Sequence, residues 1–208
     1  MRLLDLFCGA GGAAMGYSQA GFTQIVGVDI VPQRNYPFTF IQADALNPSV
    51  DLDLFDLVHA SPPCQAFTVY GNNKARVRSD HPDLIEPTRR LLGDREHVIE
   101  NVQGAPLDAT VKLCGTAFGI EVRRHRLFEA SFPMLAPSCY HGRYTERKYP
   151  GSSNRPRGRT VANIGEWRVP LSQQQDAMQI DWMTLPELSE AIPPVYTRFI
   201  GEQFLAQQ

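Results

Sequence analysis

The sequence predicts an α/β domain built on a mainly parallel sheet with helices on both faces. Short β-prone runs recur at 2–7, 24–28, 39–42, 54–60 and 97–100, with helix-compatible stretches between several of them. The first run leads into Cys8-Gly9-Ala10-Gly11-Gly12 and then Ala13–Ala20, rich in good helix formers, a strand–turn–helix unit. Strands alternating with helices bury both faces of a sheet and favour parallel pairing.

The chain has 208 residues and 43% hydrophobic content, enough for one packed domain or one domain with a small appendage. No run approaches the roughly 20 apolar residues of a membrane span. The expectation is a soluble cytoplasmic protein without a membrane partner, most naturally a monomer in a bacterial or phage-infected cell. A net charge of −2 gives no global sign of a nucleic-acid partner, so the distribution of charge carries the argument. The four cysteines are widely spaced and form no CxxC pair, which suggests neither a disulfide scaffold nor a zinc ribbon.

From about residue 131 to 170 Pro, Gly, Ser, Arg and Tyr dominate and no apolar period lasts, so an irregular insertion is expected there. Regular character returns over 171–183. It returns again over 197–207, where Phe199, Ile200, Gln203 and Phe204 have helical spacing after Pro193-Pro194. The expected organisation is a catalytic and cofactor-binding core at 1–130, the insertion at 131–170 and closing helices at 171–208.

Gly9, Gly11 and Ala14 satisfy a GxGxxG/A pattern directly after a strand, where missing side chains let a ligand approach the backbone and the helix N-terminus. Asp29 ends the second strand 20 residues after Gly9, a place for a carboxylate on ribose hydroxyls, and Asp44 follows the third strand. These features suit a nicotinamide dinucleotide as well as S-adenosylmethionine. Phe7 before the first glycine, positioned to stack on adenine, and Gly12, read as leaving room for a methionine portion, favour the smaller ligand. A dehydrogenase would also need a catalytic Lys-Tyr or His-Asp constellation, which is missing.

Ser61-Pro62-Pro63-Cys64-Gln65 follows the fourth run, so Cys64 falls at the carboxyl edge of the sheet. Two prolines fix the backbone before the thiol, as a positioned nucleophile requires. Cys8, Cys114 and Cys139 are read instead as small buried hydrophobes. Glu100-Asn101-Val102 ends the next strand behind the apolar Val98-Ile99, where burial would raise the carboxyl pKa and keep a proton available. Arg124 and Arg126 stand where a later strand begins. A thiol, an acid and two guanidinium groups can bind and activate one polar ring.

Taken together and in this order, DLFCGAGG, PPCQ, IENV and RRHRLFE resemble the ordered motifs of the carbon-5 cytosine DNA methyltransferases, over residues 2–130 and 181–204. The resemblance implies a Rossmann-like S-adenosylmethionine-dependent methyltransferase fold. It implies Cys64 as nucleophile, Glu100 at the cytosine ring nitrogen 3, and Arg126 at the ring oxygen with Arg124 in support. It places Phe7, Gly9 and Gly11 around the methionine and adenine of S-adenosylmethionine, Asp29 on the ribose, Asp44 near the adenine amine and Pro63 beside the donor. S-adenosylhomocysteine is the implied product and double-stranded DNA the implied partner.

The sequence departs from the family in three places. Val122 stands where a glutamine precedes the arginines, Gly201-Glu202-Gln203 replaces the usual Gly-Asn-Ser, and only about 50 residues remain for target recognition. Within them Arg155, Arg157 and Arg159 lie in a basic, tyrosine-containing stretch suited to a phosphate backbone. Lys74, Arg76 and Arg78 follow Cys64 in a loop that, in the family, closes over a flipped base. An RNA methyltransferase is the nearest alternative, although that branch's Cys-Phe-Thr signature is missing, and a catalytically weak DNA-binding relative is another. Cys139-x-His141 offers two metal ligands without partners, so no metal is expected.

Overall fold

The computed structural model describes residues 1–67, 81–139, 141, 144–146, 159–161 and 164–208. A seven-stranded sheet runs in the order β3-β2-β1-β4-β5-β7-β6, and a separate parallel pair is formed by β8 and β9. The strands are β1 (Arg2–Leu6), β2 (Gln24–Asp29), β3 (Thr39–Gln42), β4 (Leu57–Ala60), β5 (His97–Asn101), β6 (Val111–Leu113), β7 (Arg126–Ala130), β8 (Tyr144–Glu146) and β9 (Arg159–Val161). The helices are α1 (Gly12–Ala20), α2 (Ile85–Leu92), α3 (Leu171–Met178), α4 (Leu185–Glu190) and α5 (Pro194–Leu205). Strands β1 to β5 pair in parallel, while β7 lies antiparallel to both β5 and β6. No helix among the described residues is long and apolar enough to cross a membrane.

Alternation along the strands divides the core between the two faces. Leu3, Ile25, Leu57 and Val98 face one side with Ala13, Ala14 and Tyr17 of α1 and Tyr196, Ile200 and Phe204 of α5. Leu4, Leu6, Val28, Val58, Ala60 and Ile99 face the other, with Leu92 of α2 and with Leu52 from the turn before β4. The expected two-sided burial is therefore present, with α1 and α5 together on one face.

Several boundaries differ from the sequence reading. The 54–60 run shortens to Leu57–Ala60 because a 3₁₀ turn occupies Leu52–Leu54, capped by the Asp51 carboxylate accepting from the Asp53 amide at 3.0 Å. The 171–183 helix ends at Met178, where Gln179 turns left-handed at φ 58°. The closing helix begins earlier than expected, with Pro194 in its first turn, where a missing N–H costs nothing. The insertion read as irregular contains the β8–β9 pair.

Gly12 is a correction to the ligand-room reading. A Cβ there would lie 2.4 Å from the Ile192 carbonyl oxygen, so the glycine admits the chain entering α5 rather than part of a ligand. One turn later, a Cβ on Gly16 would stand 2.1 Å from both the Pro194 carbonyl and Thr197 Oγ1 and 2.7 Å from the Arg198 amide. The two glycines let α1 and α5 approach backbone to backbone, and Thr197 Oγ1 donates to the Ala13 carbonyl at 2.8 Å across the seam. Because the clash is with backbone, Gly16→Ala is expected to lower the unfolding free energy by about 3 kcal/mol despite its better helix propensity. Urea unfolding measures this, and an unchanged or raised midpoint would refute the packing account.

Candidate active site

The carboxyl ends of β1, β2, β4 and β5 meet at one edge of the sheet, and the loops leaving them carry the groups in question. After β1 the chain bends sharply: Phe7 has φ 55°, Gly9 φ 47° and Gly11 φ 84°. A left-handed Phe is costly, and the loop is held against that cost by its neighbours. The Cys8 amide donates to the Val28 carbonyl at 3.2 Å, and the Gly9 amide donates to Asp29 Oδ2 at 3.0 Å. Asp29 Oδ1 accepts from the Val31 amide at 2.9 Å. Each Asp29 oxygen thus keeps a lone pair for a ribose hydroxyl while bracing the turn. A Cβ on Gly9 would meet nothing within 4 Å, so the backbone is open on that side. An adenosine-bearing cofactor such as S-adenosylmethionine fits this cradle on both counts. Gly11 has a different task, since a Cβ there would press on Tyr36 and Pro37 at 2.8–2.9 Å. Asp44 is exposed, with Oδ1 accepting from the Leu46 amide at 2.9 Å.

The second loop is anchored at three points. The Ser61 amide donates to the Leu6 carbonyl at 3.1 Å, Asn101 Nδ2 donates to the Pro62 carbonyl at 2.9 Å, and the Phe67 amide donates to the Cys64 carbonyl at 2.9 Å. Pro62 is buried, Pro63 is exposed and Cys64 is half-buried, so the thiol stands on a fixed backbone at the rim.

Glu100 lies on β5 and is 6% exposed, which puts the whole carboxyl in a protein environment. Arg126 Nε approaches its Oε1 at 2.9 Å as an ion pair, although the angle makes no hydrogen bond and Oε1 has no other partner. Burial pushes the Glu100 carboxyl above its ordinary value, against the opposing pull of Arg126, Arg124 and a Ser61 hydrogen bond. Arg124 is depressed to about 10 by burial first and by Arg126 second, while Glu100, Tyr196 and Cys64 lie close enough to pull it back. Its NH2 donates to the Ser189 carbonyl at 2.6 Å, and Nε is buried without a partner. The structure therefore brings Cys64, Glu100, Arg124 and Arg126 together from three segments, the loop after β4, the end of β5 and the entry to β7.

A row of buried groups supports Glu100 from behind, and the sequence reading missed it. Tyr17 Oη lies 3.1 Å from His59 Nδ1, and His59 Nε2 lies 2.9 Å from Ser61 Oγ. Burial drops the His59 pKa to about 3, so the ring is neutral and carries one proton. With Ser61 donating to Glu100, its oxygen accepts from His59 Nε2–H, and bare Nδ1 accepts from Tyr17. Every member is satisfied by this single arrangement. Ser61 and Asn101 sit inside the motifs already quoted, but their roles follow from contacts that no spacing shows.

Asp5 was also missed. It is completely buried on β1, with Oδ2 accepting from Tyr36 Oη at 3.4 Å and Oδ1 unpartnered. Burial, then the Asp29 charge, raise its pKa well above the ordinary value, against Tyr36 and the Ala14 amide. A carboxyl whose folded pKa is raised favours the fold while protonated and loses that contribution as pH rises through the folded value. Asp5→Asn is accordingly expected to be more stable than the parent at about pH 8 and to lose that advantage at about pH 4. Equal differences at both pH values in chemical unfolding would contradict the assignment.

Of the nucleic-acid candidates, Lys74, Arg76, Arg78, Arg155 and Arg157 lie outside the described residues, and Arg159 is placed only as part of β9. Cys8 and Cys114 are buried as expected, but Cys139 is half-exposed, contrary to the buried-hydrophobe reading.

The C-5 cytosine-specific DNA methylase family model matches residues 1–105, a stretch that includes the glycine loop, Cys64 and Glu100. Type II methyltransferase M1.HphI of Haemophilus parahaemolyticus is 34% identical over 96 residues, covering 39% of this chain and 26% of that protein. M.AgeI of Thalassovita gelatinovora is 32% identical over 90 residues, covering 36% of this chain and 21% of that one. M.Bsp6I of Bacillus sp. is 26% identical over 167 residues, covering 76% and 50%. The chain thus spans about a fifth to a half of these relatives' lengths. A crystal structure described as a DNA modification methyltransferase encoded within an E. coli prophage superposes with a TM-score of 0.60 at 12% identity, covering 99% of both chains, which shows a shared fold. With the family model covering half the chain and the mainly parallel sheet carrying its motifs at one edge, this protein belongs to the C-5 cytosine-specific DNA methylase family.

Proposed function

We propose that this chain transfers a methyl group from S-adenosylmethionine to carbon 5 of a cytosine flipped out of double-stranded DNA. The observation that carries the reading is the meeting of Cys64 with the buried Glu100–Arg126 pair beside an open glycine loop.

Carbon 5 of cytosine is too electron-poor to be methylated directly. In this reading the Cys64 thiolate forms a bond to carbon 6, and the carbon 5–carbon 6 π pair moves onto carbon 5. Glu100, with its raised pKa, shares a proton with ring nitrogen 3 and so takes up the charge that addition drives into the ring. Arg126, paired with Glu100, is placed to hold the ring oxygen, and Arg124 adds positive charge beside it. The chemistry that S-adenosylmethionine supplies when bound is an electrophilic methyl group for carbon 5. A base, taken here as water, then removes the carbon 5 proton, and the C–H electron pair re-forms the double bond as the sulfur leaves. Gly9 and Asp29, with Phe7 at the bend, hold the donor; the assignment of Lys74, Arg76, Arg78, Arg155, Arg157 and Arg159 to phosphates rests on their charge. A base inside a duplex cannot reach a thiol fixed at the sheet edge, hence the flipping.

The test is methyl transfer from labelled S-adenosylmethionine to mixed-sequence DNA and, in parallel, to cytosine-containing RNA, followed by base-resolution mapping. Label at carbon 5 of cytosine in DNA supports the reading. Label in RNA alone, or DNA binding without transfer, contradicts it.

A further inference from the structure

The pair Cys139-x-His141, which in the sequence lacked partners, gains two in the fold. Cys114 directly follows β6, His125 directly precedes β7, and the segment beyond β7 returns Cys139 and His141 to the same place. One ligand atom from each of the four lies within 4.8 Å of every other. Cys114 Sγ is 3.4 Å from His141 Nε2, and Cys139 Sγ is 3.5 Å from His125 Nε2. Sulfur and nitrogen at about 2.3 and 2.0–2.1 Å from a common tetrahedral centre are about 3.5 Å apart, so both spacings match such a centre. The two imidazole rings meet edge-on with centroids 5.0 Å apart and an interplanar angle of 63°, each with its Nε2 against a cysteine sulfur.

We propose that Cys114, His125, Cys139 and His141 form a structural zinc site that fastens the start of the insertion to the β6–β7 hairpin. The donor set is two thiolates and two imidazoles, with no carboxylate in the group, which selects zinc over magnesium or calcium. Four protein ligands leave no open position for water, so the site is structural and takes no part in methyl transfer. Its position explains its use. His125 stands between Arg124 and Arg126, and a metal tie there would hold both guanidinium groups against Glu100 while the chain departs for the insertion. The ligand spacing, Cys-x10-His-x13-Cys-x-His, follows no familiar zinc-finger pattern, and only the folding of the hairpin brings it together.

The experiment uses the full purified chain. Elemental analysis is expected to find one zinc per chain, and X-ray absorption is expected to show two sulfurs at about 2.3 Å and two nitrogens at about 2.0–2.1 Å. Cobalt exchanged into the site should give intense tetrahedral ligand-field bands and thiolate charge-transfer absorption, both lost in Cys139→Ser. Chelation should lower the thermal midpoint by about 5–10 °C. A chain that neither retains nor takes up zinc overturns the proposal. So does a metal whose shell holds no sulfur, or a Cys114–Cys139 disulfide in the native protein without metal.

Discussion

Cys64→Ser is expected to reduce methyl transfer by about 10⁴-fold or more while leaving the thermal midpoint and DNA affinity near those of the parent. The loop around Cys64 is held by the Leu6, Asn101 and Phe67 contacts, which use backbone atoms and the Asn101 amide rather than the thiol. Half-burial at the rim leaves room for a smaller hydroxyl without a core cavity. A serine hydroxyl keeps its proton at neutral pH and adds poorly to a pyrimidine ring, so the loss falls on chemistry alone. Single-turnover assays with unfolding and binding controls would separate the two. Substantial residual turnover would remove Cys64 from the role of nucleophile.

Glu100→Gln is expected to act on both stability and rate. Its shape is nearly unchanged, but Arg126 loses the carboxylate 2.9 Å from its Nε and Arg124 faces Arg126 with no anion between them. Breaking a buried ion pair on one side costs about 3–5 kcal/mol, because the surviving charge is left buried. An amide cannot pass a proton to ring nitrogen 3, so kcat should fall a further 10²–10⁴-fold, the usual range for a positioned acid, give or take about one order of magnitude. Adding Arg126→Gln to Glu100→Gln should recover part of the stability and none of the rate. Additive stability losses in that double-mutant cycle would mean that the pair is not coupled.

The sheet was legible because its strands are short apolar runs and its loops carry glycine and proline where the chain must bend. The placement of Cys64 and Glu100 was legible for the same reason, since Cys64 lies in the loop leaving β4, Glu100 lies at the end of β5, and the ends of parallel strands share one edge. β6 went unread, being three residues long and hidden behind Pro106 and Asp108. The misreading of Gly12 shows a limit of another kind. A glycine beside a ligand loop and a glycine beneath a crossing helix look alike until the partner helix is placed. The Tyr17–His59–Ser61 row went unread, and Cys139-x-His141 was read as a pair without partners, because Tyr17 in the one case and Cys114 and His125 in the other come from distant segments, and pairing in space leaves no local period.

The central claim, that the Cys64 sulfur bonds to carbon 6 of a cytosine, is tested most directly by trapping. DNA containing 5-fluorocytosine, incubated with S-adenosylmethionine and the full chain, should give a covalent protein–DNA complex that survives denaturation, because fluorine at carbon 5 cannot leave as a proton does. Digestion should place the nucleotide adduct on the peptide containing Cys64, with none formed by Cys64→Ser. An adduct on any other cysteine, or DNA methylation by the parent chain without trapping, would contradict the account.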